Sequence, residues 1–480
     1  MAQSKNSVVS NLIWRFAERS GAQLIQFAVS IVLARMLAPE AYGTIALVLV
    51  FAQIFQVFVD SGLGNALIQK KDADDLDFSS VFYFNVVWCL FLYMILYFCA
   101  PLIASFYEDP SLVWIVRVLC LTVVISGLKN VQQAYVSRTM QFRKFFFSTL
   151  GGTIMSAVVG IFIALEGGGV WALVAQKIVN ISVDTLVLWF TVQWRPKLMF
   201  SFQRLKYLFS YGWKLLASAL LDVTYNNLRQ LIIGKMYSES SLAFYNQGRQ
   251  FPDLIVTNIN SSIDSVLFPT LSKEQDDKEK VKVMTRRSIK VSTYIMAPMM
   301  MGLIFTASNV IVFILTEKWL PSVPFLILFC ISYMFYPIHT ANLNAIKALG
   351  RSDLFLRMEI LKKIVGMILL LATMNYGVLA MACSMPVSTM CSMVINSYPN
   401  KELLEYSYFD QIKDIAPSIL LALGMGICVY FIPFLIHGST VFVLMIQIMA
   451  GILLYIGGSI LFKNDSFYYL LSIVKQFKIK

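Results

Sequence analysis

The chain has 480 residues, 58% of them hydrophobic and 14% charged, with a formal net charge of +12 and a positive mean hydropathy. Soluble domains average roughly 45–50% apolar and about 25% charged residues, so too few polar residues remain here, once the loops are written down, to clothe a soluble surface. Nucleic-acid binding is equally poorly served. It needs basic residues gathered on one exposed face, whereas these lysines and arginines sit mostly in short segments between apolar runs, the pattern that orients a membrane protein.

The first apolar run, from about residue 11 to residue 37, is too long for the core of a signal peptide and carries Arg15, Glu18 and Arg19, so it is expected to stay in the membrane. A spanning helix needs about 20 predominantly apolar residues. That ruler places spans near 10–37, 41–66, 79–105, 111–135, 147–166 and 169–193, then near 208–235, 241–269, 289–315, 322–348, 354–374 and 377–397, with a last pair near 414–436 and 439–462. The expected fold is all-α, a polytopic transmembrane helix bundle of about 14 spans.

The connections alternate in character. Those at 39–40, 107–110, 166–169, 238–241, 316–322, 375–377 and 436–439 are short and acidic or neutral, with Lys318 as their one cation; those at 70–71, 138–144, 195–206, 273–290, 347–363 and 401–413 and the tail from Lys463 are basic. The positive-inside rule then places both termini in the cytoplasm and requires an even number of spans. The stretch 273–290 reads as a solvated, charged loop. Seven cysteines (Cys89, Cys99, Cys120, Cys330, Cys383, Cys391 and Cys428) fall inside apolar runs and read as small buried hydrophobes. His339 and His437 lie far apart without a paired ligand, so neither a metal nor a cofactor is expected.

An offset of 200 residues lays Arg35-Met36 on Lys235-Met236, and the turn ending at Gly43 on the one ending at Ala243. Two six-helix lobes of like orientation follow: 1–200 (spans 1–6) and 201–400 (spans 7–12), around a central cavity. Residues 401–480 supply the two C-terminal helices and a cytoplasmic tail.

An arginine or lysine within the membrane costs roughly 2.5–3.5 kcal/mol, so the helical face it occupies matters. In the first span Asn11, Arg15, Glu18, Arg19, Ala22 and Gln26 fall within an arc of roughly 100°. The second contributes Gln53, Gln56 and Asp60. In the seventh, Asp222, Asn226 and Arg229 share a face, and in the eighth Tyr245, Arg249, Asp253, Thr257, Asn260 and Asp264 form a stripe. The opening helices of each lobe are thus the most polar, as a shared hydrated cavity requires. Arg117, and Lys177 on one face with Asn180 and Asp184, are further lining candidates; Lys129 is near enough to a helix end to snorkel and is set aside. The competing expectation is that these charges only lock helices together, since Glu18 with Arg15 or Arg19, and Arg249 with Asp253, have pairing distance along a helix. Pro252, Pro298, Pro337 and Pro386 fall within spans and are expected to bend them.

The segments Trp14-Arg15-Phe16, Leu33-Ala34-Arg35-Met36-Leu37-Ala38-Pro39-Glu40-Ala41-Tyr42-Gly43, Asp60-Ser61-Gly62-Leu63-Gly64, Ala66-Leu67-Ile68-Gln69 and Phe244-Tyr245-Asn246-Gln247-Gly248-Arg249 resemble those of bacterial polysaccharide-transport and O-antigen flippases, a branch of the multidrug/oligosaccharidyl-lipid/polysaccharide exporter superfamily. The resemblance covers essentially the whole chain. It implies a V-shaped, two-lobed inner-membrane transporter that flips undecaprenyl-pyrophosphate-linked oligosaccharide by alternating access. The family's cationic pyrophosphate site maps here onto Arg15, Arg19, Arg229 and Arg249. Relatives couple transport to H+ or Na+, for which Glu18, Asp60, Asp222 and Asp253 are the candidates, and a monomer is expected. Bidentate arginine suits phosphate oxygens, which agrees with such a cargo.

Two rival readings remain at this point. An ion-coupled multidrug exporter of the same superfamily would want carboxylates to dominate the polar stripes, where arginines match or outnumber them. A membrane enzyme acting on polyprenyl-linked glycans would want a large outer loop or an exposed carboxylate pair; Glu108-Asp109 stands on a loop too short for that and reads as a helix-start signal before Pro110.

Overall fold

The computed structural model describes residues 5–60, 63–70, 72–436 and 438–478. Among them every regular element is a helix. Long apolar runs in lipid have no water to satisfy their peptide groups, and a helix satisfies them internally. The first half contains α1 (Lys5–Met36), α2 (Pro39–Asp60), α3 (Leu63–Gln69), α4 (Asp75–Tyr107), α5 (Leu112–Leu119), α6 (Leu121–Arg138), α7 (Phe142–Leu165), α8 (Val170–Thr191), α9 (Phe202–Met236) and α10 (Glu239–Lys273). The second contains α11 (Lys278–Leu315), α12 (Val323–Tyr333), α13 (Tyr336–Ala348), α14 (Ser352–Thr373), α15 (Val378–Leu403), α16 (Tyr408–Leu435), α17 (Thr440–Leu461) and α18 (Asp465–Lys478).

Ten helical segments among the described residues are long and apolar enough to cross a membrane; the protein is a multi-pass membrane protein. The helices α1, α9, α10 and α14 have 32, 35, 35 and 22 residues. At 1.5 Å per residue each exceeds a roughly 30 Å hydrocarbon core, but they carry more charge, and the expected count of fourteen depends on them. Leu102, Phe190 and Leu453 are among many large apolar side chains left exposed, as lipid-facing surfaces require.

Several sequence expectations change in detail. Residues 273–290 are mostly helix, because Asp277 caps α11 by accepting a hydrogen bond from the Lys280 amide at 3.0 Å; only 274–277 lie outside helices. A short 3-10 turn at Glu317–Ser322 precedes α12, and the chain breaks again before α13, whose first turn holds Pro337. That proline starts a helix, where its missing N–H has no partner to lose, and so does not bend one. Pro252, Pro298 and Pro386 lie inside continuous helices. Cys89, Cys120 and Cys330 are buried as expected, whereas Cys383 and Cys428 are exposed on their helices.

By packing, the chain divides into two compact units, Met1–Ala243 and Phe244–Lys480. In the first, α7 packs on α1 and α8, α4 on α6, and α2 on α9. The buried carboxylate of Asp77 (0% exposed) ties three segments together: it accepts from Lys70 Nζ at 2.6 Å, from Arg204 Nη1 at 3.3 Å and from the Asp74 amide at 3.2 Å, the last closing the capping box that starts α4. Phe78, Phe82 and Trp194 pack beside it in an apolar core. At the opposite end of α4, Thr44 Oγ1 donates to Glu239 Oε2 at 2.7 Å, Ser240 Oγ to Glu40 Oε1 at 2.8 Å, and Lys235 Nζ to Glu108 Oε1 at 3.0 Å. Burial raises the pKa of the Glu239 carboxyl, at the first residue of α10, above its ordinary value. Gly43 permits this approach, since a Cβ there would stand 2.1 Å from the Glu239 carbonyl oxygen.

In the second unit α11 packs on α12, α16 and α17. Arg286 grips Asp414 in a fork (Nε–Oδ2 2.6 Å, Nη2–Oδ1 2.7 Å), and the Tyr406 hydroxyl donates to the same carboxylate at 2.8 Å. Behind it, buried Asn342 and Gln411 exchange amide hydrogen bonds of 2.8 and 3.1 Å, joined by Asn400 at 2.6 Å and Ser397 at 3.0 Å. Gly248 lets α10 lie against α12: a Cβ would sit 2.8 Å from both the Ser322 carbonyl oxygen and the Leu326 nitrogen. Overpacking of this kind costs about 1–3 kcal/mol, so Gly248→Ala is expected to lower the thermal midpoint of the detergent-solubilised protein. An unchanged midpoint would show that the two helices separate without cost.

Candidate functional site

In the first unit the side chains of Arg15, Arg19 and Asp60 lie outside the described residues. Glu18 is 8% exposed and turned toward α7, where Thr149 Oγ1 donates to Oε1 at 3.4 Å. On α9, Asp222, Asn226 and Arg229 occupy one face of an unbroken helix; the first two are exposed and Arg229 is half-buried. The neighbouring side of α9 is held by Asn227, buried, which donates to the Val223 carbonyl at 2.9 Å and accepts from Gln230 at 3.3 Å.

Lys129, set aside from the sequence, is the lysine that takes a buried partner. Lys129 does not snorkel. It reaches from α6 to α8 and bonds Asp184 Oδ2 at 2.9 Å, both side chains being largely buried. Asp184, which shares a helical face with Lys177, is therefore already engaged. Lys177 is exposed on α8 and makes no salt bridge among the described residues. Arg117 is engaged within its own unit: its Nε donates to the Tyr97 carbonyl at 3.4 Å, and its guanidinium lies 4.2 Å from the Tyr97 ring and 5.3 Å from that of Trp114. Such cation–π contacts contribute about 0.5–2 kcal/mol and pin α5 to α4.

In the second unit Arg249 Nε donates to Asp253 Oδ2 at 2.7 Å, with the two side chains 37% and 36% exposed. The pair is thus partly open, and the carboxylate engages the guanidinium at its Nε edge. The rest of the α10 stripe divides. Tyr245 is buried against the rings of Phe325 and Phe329, at 5.9 and 5.2 Å, and donates to Met385 Sδ. Asp264 accepts from Asn344 Nδ2 at 2.6 Å. Arg249, Asp253, Thr257 and Asp264 remain as its accessible polar part. The motif reaching from Phe244 to Arg249 therefore does two things: Tyr245 and Gly248 seat α10 on α12, and Arg249 presents a charge one turn along.

A family model described as polysaccharide biosynthesis protein matches residues 32–324 of this chain. The chain belongs to that family. Curated relatives within reach of it include the succinoglycan biosynthesis transport protein ExoT of Rhizobium meliloti (strain 1021), 26% identical over 68% of this chain and 66% of the relative. The teichuronic acid biosynthesis protein TuaB of Bacillus subtilis (strain 168) is 24% identical over 79% of each chain. The lipopolysaccharide biosynthesis protein WzxC of Escherichia coli (strain K12) is 24% identical over 83% of this chain and 79% of its own. The matched region thus spans about two thirds to four fifths of these relatives. Among solved structures, the lipid II flippase MurJ in an inward closed conformation superposes with a TM-score of 0.77 at 16% identity, over 94% of this chain and 99% of that one. An inward-facing multidrug transporter of the MATE family superposes at 0.63 with 14% identity, over 85% and 98%. The polysaccharide biosynthesis family member described here shares their fold.

Proposed function

We propose that this protein is a flippase that moves undecaprenyl-pyrophosphate-linked oligosaccharide, the repeat unit of an O-antigen, capsule or exopolysaccharide, from the cytoplasmic to the periplasmic leaflet of the bacterial inner membrane by alternating access. Membership of the polysaccharide biosynthesis family carries this reading, and relatives named for succinoglycan transport, teichuronic acid and lipopolysaccharide support it. In this reading the chain crosses the membrane fourteen times with both termini in the cytoplasm, as lobes 1–200 and 201–400 followed by 401–480, and works as a monomer without enzymatic activity. Arg15, Arg19, Arg229 and Arg249 supply cations for the pyrophosphate, and the exposed Lys177 adds another. H+ or Na+ drives the cycle through one of Glu18, Asp60, Asp222 and Asp253. The likeness to a multidrug transporter keeps drug export as the second reading; against it stand the exposed Lys177 on α8 and the partly open Arg249 on α10, which repel a cationic drug and attract a phosphate.

The test is reconstitution of the purified protein in vesicles with a fluorescent lipid-linked glycan on one leaflet. The expected result is protein-dependent exchange of the label between leaflets. Exchange no faster than in empty vesicles, together with uptake of a cationic dye, would move the assignment to drug export.

A further inference from the structure

A cavity of about 820 Å³ runs along α16 and α17 in the second unit, within the roughly 300–1,000 Å³ range of small-molecule sites. Its walls are apolar, with Leu420, Leu421 and Met425 from α16 facing Leu454 and Leu461 from α17. Leu420, Leu454 and Leu461 are exposed, so the crevice is open to the bilayer. Gly424 faces open space in it: a Cβ at that position would meet nothing within 4 Å.

At one end the chemistry changes. Lys413 near the start of α16, Lys463 just beyond α17 and Lys290 of α11 form the rim. Asp465 holds Lys290 at 3.0 Å. Lys413 and Lys463 are exposed and make no salt bridge among the described residues, although Lys413 acts electrostatically on the nearby Asp410. Lys463 adopts the left-handed conformation (φ 51°) and turns the chain into α18. There Phe467, Leu470 and Leu471 recur at helical spacing among polar residues, the pattern of a helix lying in the membrane interface. The rim is therefore at the level of lipid headgroups.

We propose that this cavity binds an anionic phospholipid, with an acyl chain along the leucine walls and its phosphate between Lys413 and Lys463. An apolar crevice at membrane depth closed by two ammonium groups complements a chain that ends in a net negative phosphodiester. A zwitterionic headgroup brings its own cation and gains less from the same rim, and inorganic phosphate lacks the chain. The occupant is drawn from the bilayer onto which the crevice opens, and the polyprenyl-linked cargo comes from that same bilayer, so one probe of the test is a polyprenyl phosphate.

Native mass spectrometry of the full-length protein tests this with three probes: phosphatidylglycerol, phosphatidylcholine of the same acyl chains, and undecaprenyl phosphate. Phosphatidylglycerol is expected to be retained severalfold better than phosphatidylcholine. A lysine at a membrane surface contributes roughly 1 kcal/mol to anionic-lipid attraction, a factor of about fivefold, so Lys413→Gln and Lys463→Gln should each weaken phosphatidylglycerol retention by about that factor and leave phosphatidylcholine unchanged. Gly424→Leu should displace both lipids. Equal retention of the two phospholipids, indifference to both lysine substitutions, or preference for undecaprenyl phosphate would overturn the proposal. Both lysines are exposed, so their replacement leaves folding out of the comparison. Since no transport is measured, a failure here leaves the flippase reading standing.

Discussion

Replacing Arg249 with glutamine is expected to cut transport of the lipid-linked glycan by about 10–150-fold while the protein accumulates normally in the membrane. A hydrogen bond to a charged group contributes about 1.5–3 kcal/mol, and each 1.4 kcal/mol or so is tenfold. The geometry separates this from a structural role. Arg249 and Asp253 are each more than a third exposed, so loss of the guanidinium does not leave the carboxylate sealed inside protein and costs less stability than at a fully buried pair. If the pair served only to brace α10, Asp253→Asn would be as harmful as Arg249→Gln. If Arg249 holds phosphate and coupling runs through Glu18, Asp60 or Asp222, Asp253→Asn keeps the cation and spares exchange. Arg249→Lys is expected to fall between, because an ammonium keeps the charge but not the planar fork. The measurement is leaflet exchange of a labelled lipid-linked glycan for all three variants, with protein level read by immunoblot; wild-type exchange by Arg249→Gln would remove Arg249 from the substrate site.

The largest stability effect is expected at Asp77, a position that the charge pattern of the spans does not single out. Asp77→Ala removes the partner of Lys70 and Arg204 and opens the capping box of α4. Breaking a buried ion pair from one side costs about 3–5 kcal/mol. Lys70 is largely buried, whereas Arg204 is 41% exposed and recovers part of its hydration, so the lower half of that range applies. Asp77→Asn, which can still accept from the Asp74 amide, should lose less. Thermal unfolding of the purified variants checks this. Midpoints equal to wild type for both would mean that the segments around 70–77 and 204 hold together without the charge.

The helical, multi-pass character of the chain was legible because it depends on local quantities. A span is a run of apolar residues of a certain length, and its polar exceptions are visible at helical spacing; the Asp222, Asn226 and Arg229 face of α9 is continuous in the structure as the spacing implies. The glycine and tyrosine of the Phe244–Arg249 motif were visible as a pattern, but their packing against α12 was not.

Partnership within one helix was legible, as for Arg249 with Asp253; partnership between helices was not. Lys129 and Asp184 are 55 residues apart, Asp77 and Arg204 are 127, and Asn342 and Gln411 are 69, beyond the reach of any rule of spacing along one helix. Each lysine or arginine could be assigned a depth and a face from the sequence, yet which of them is neutralised depends on which helix packs beside it. So the sequence by itself determined that this is a membrane-embedded bundle with cations on certain faces. Only the tertiary structure decided that Lys129 is locked to Asp184, that Arg117 is engaged by Tyr97 and Trp114, that Lys177 has no salt bridge among the described residues, and that Arg249 stays partly exposed beside Asp253. The physical reason is that lipid selects apolar length one span at a time, whereas a buried charge is settled only by a partner brought from elsewhere in the chain.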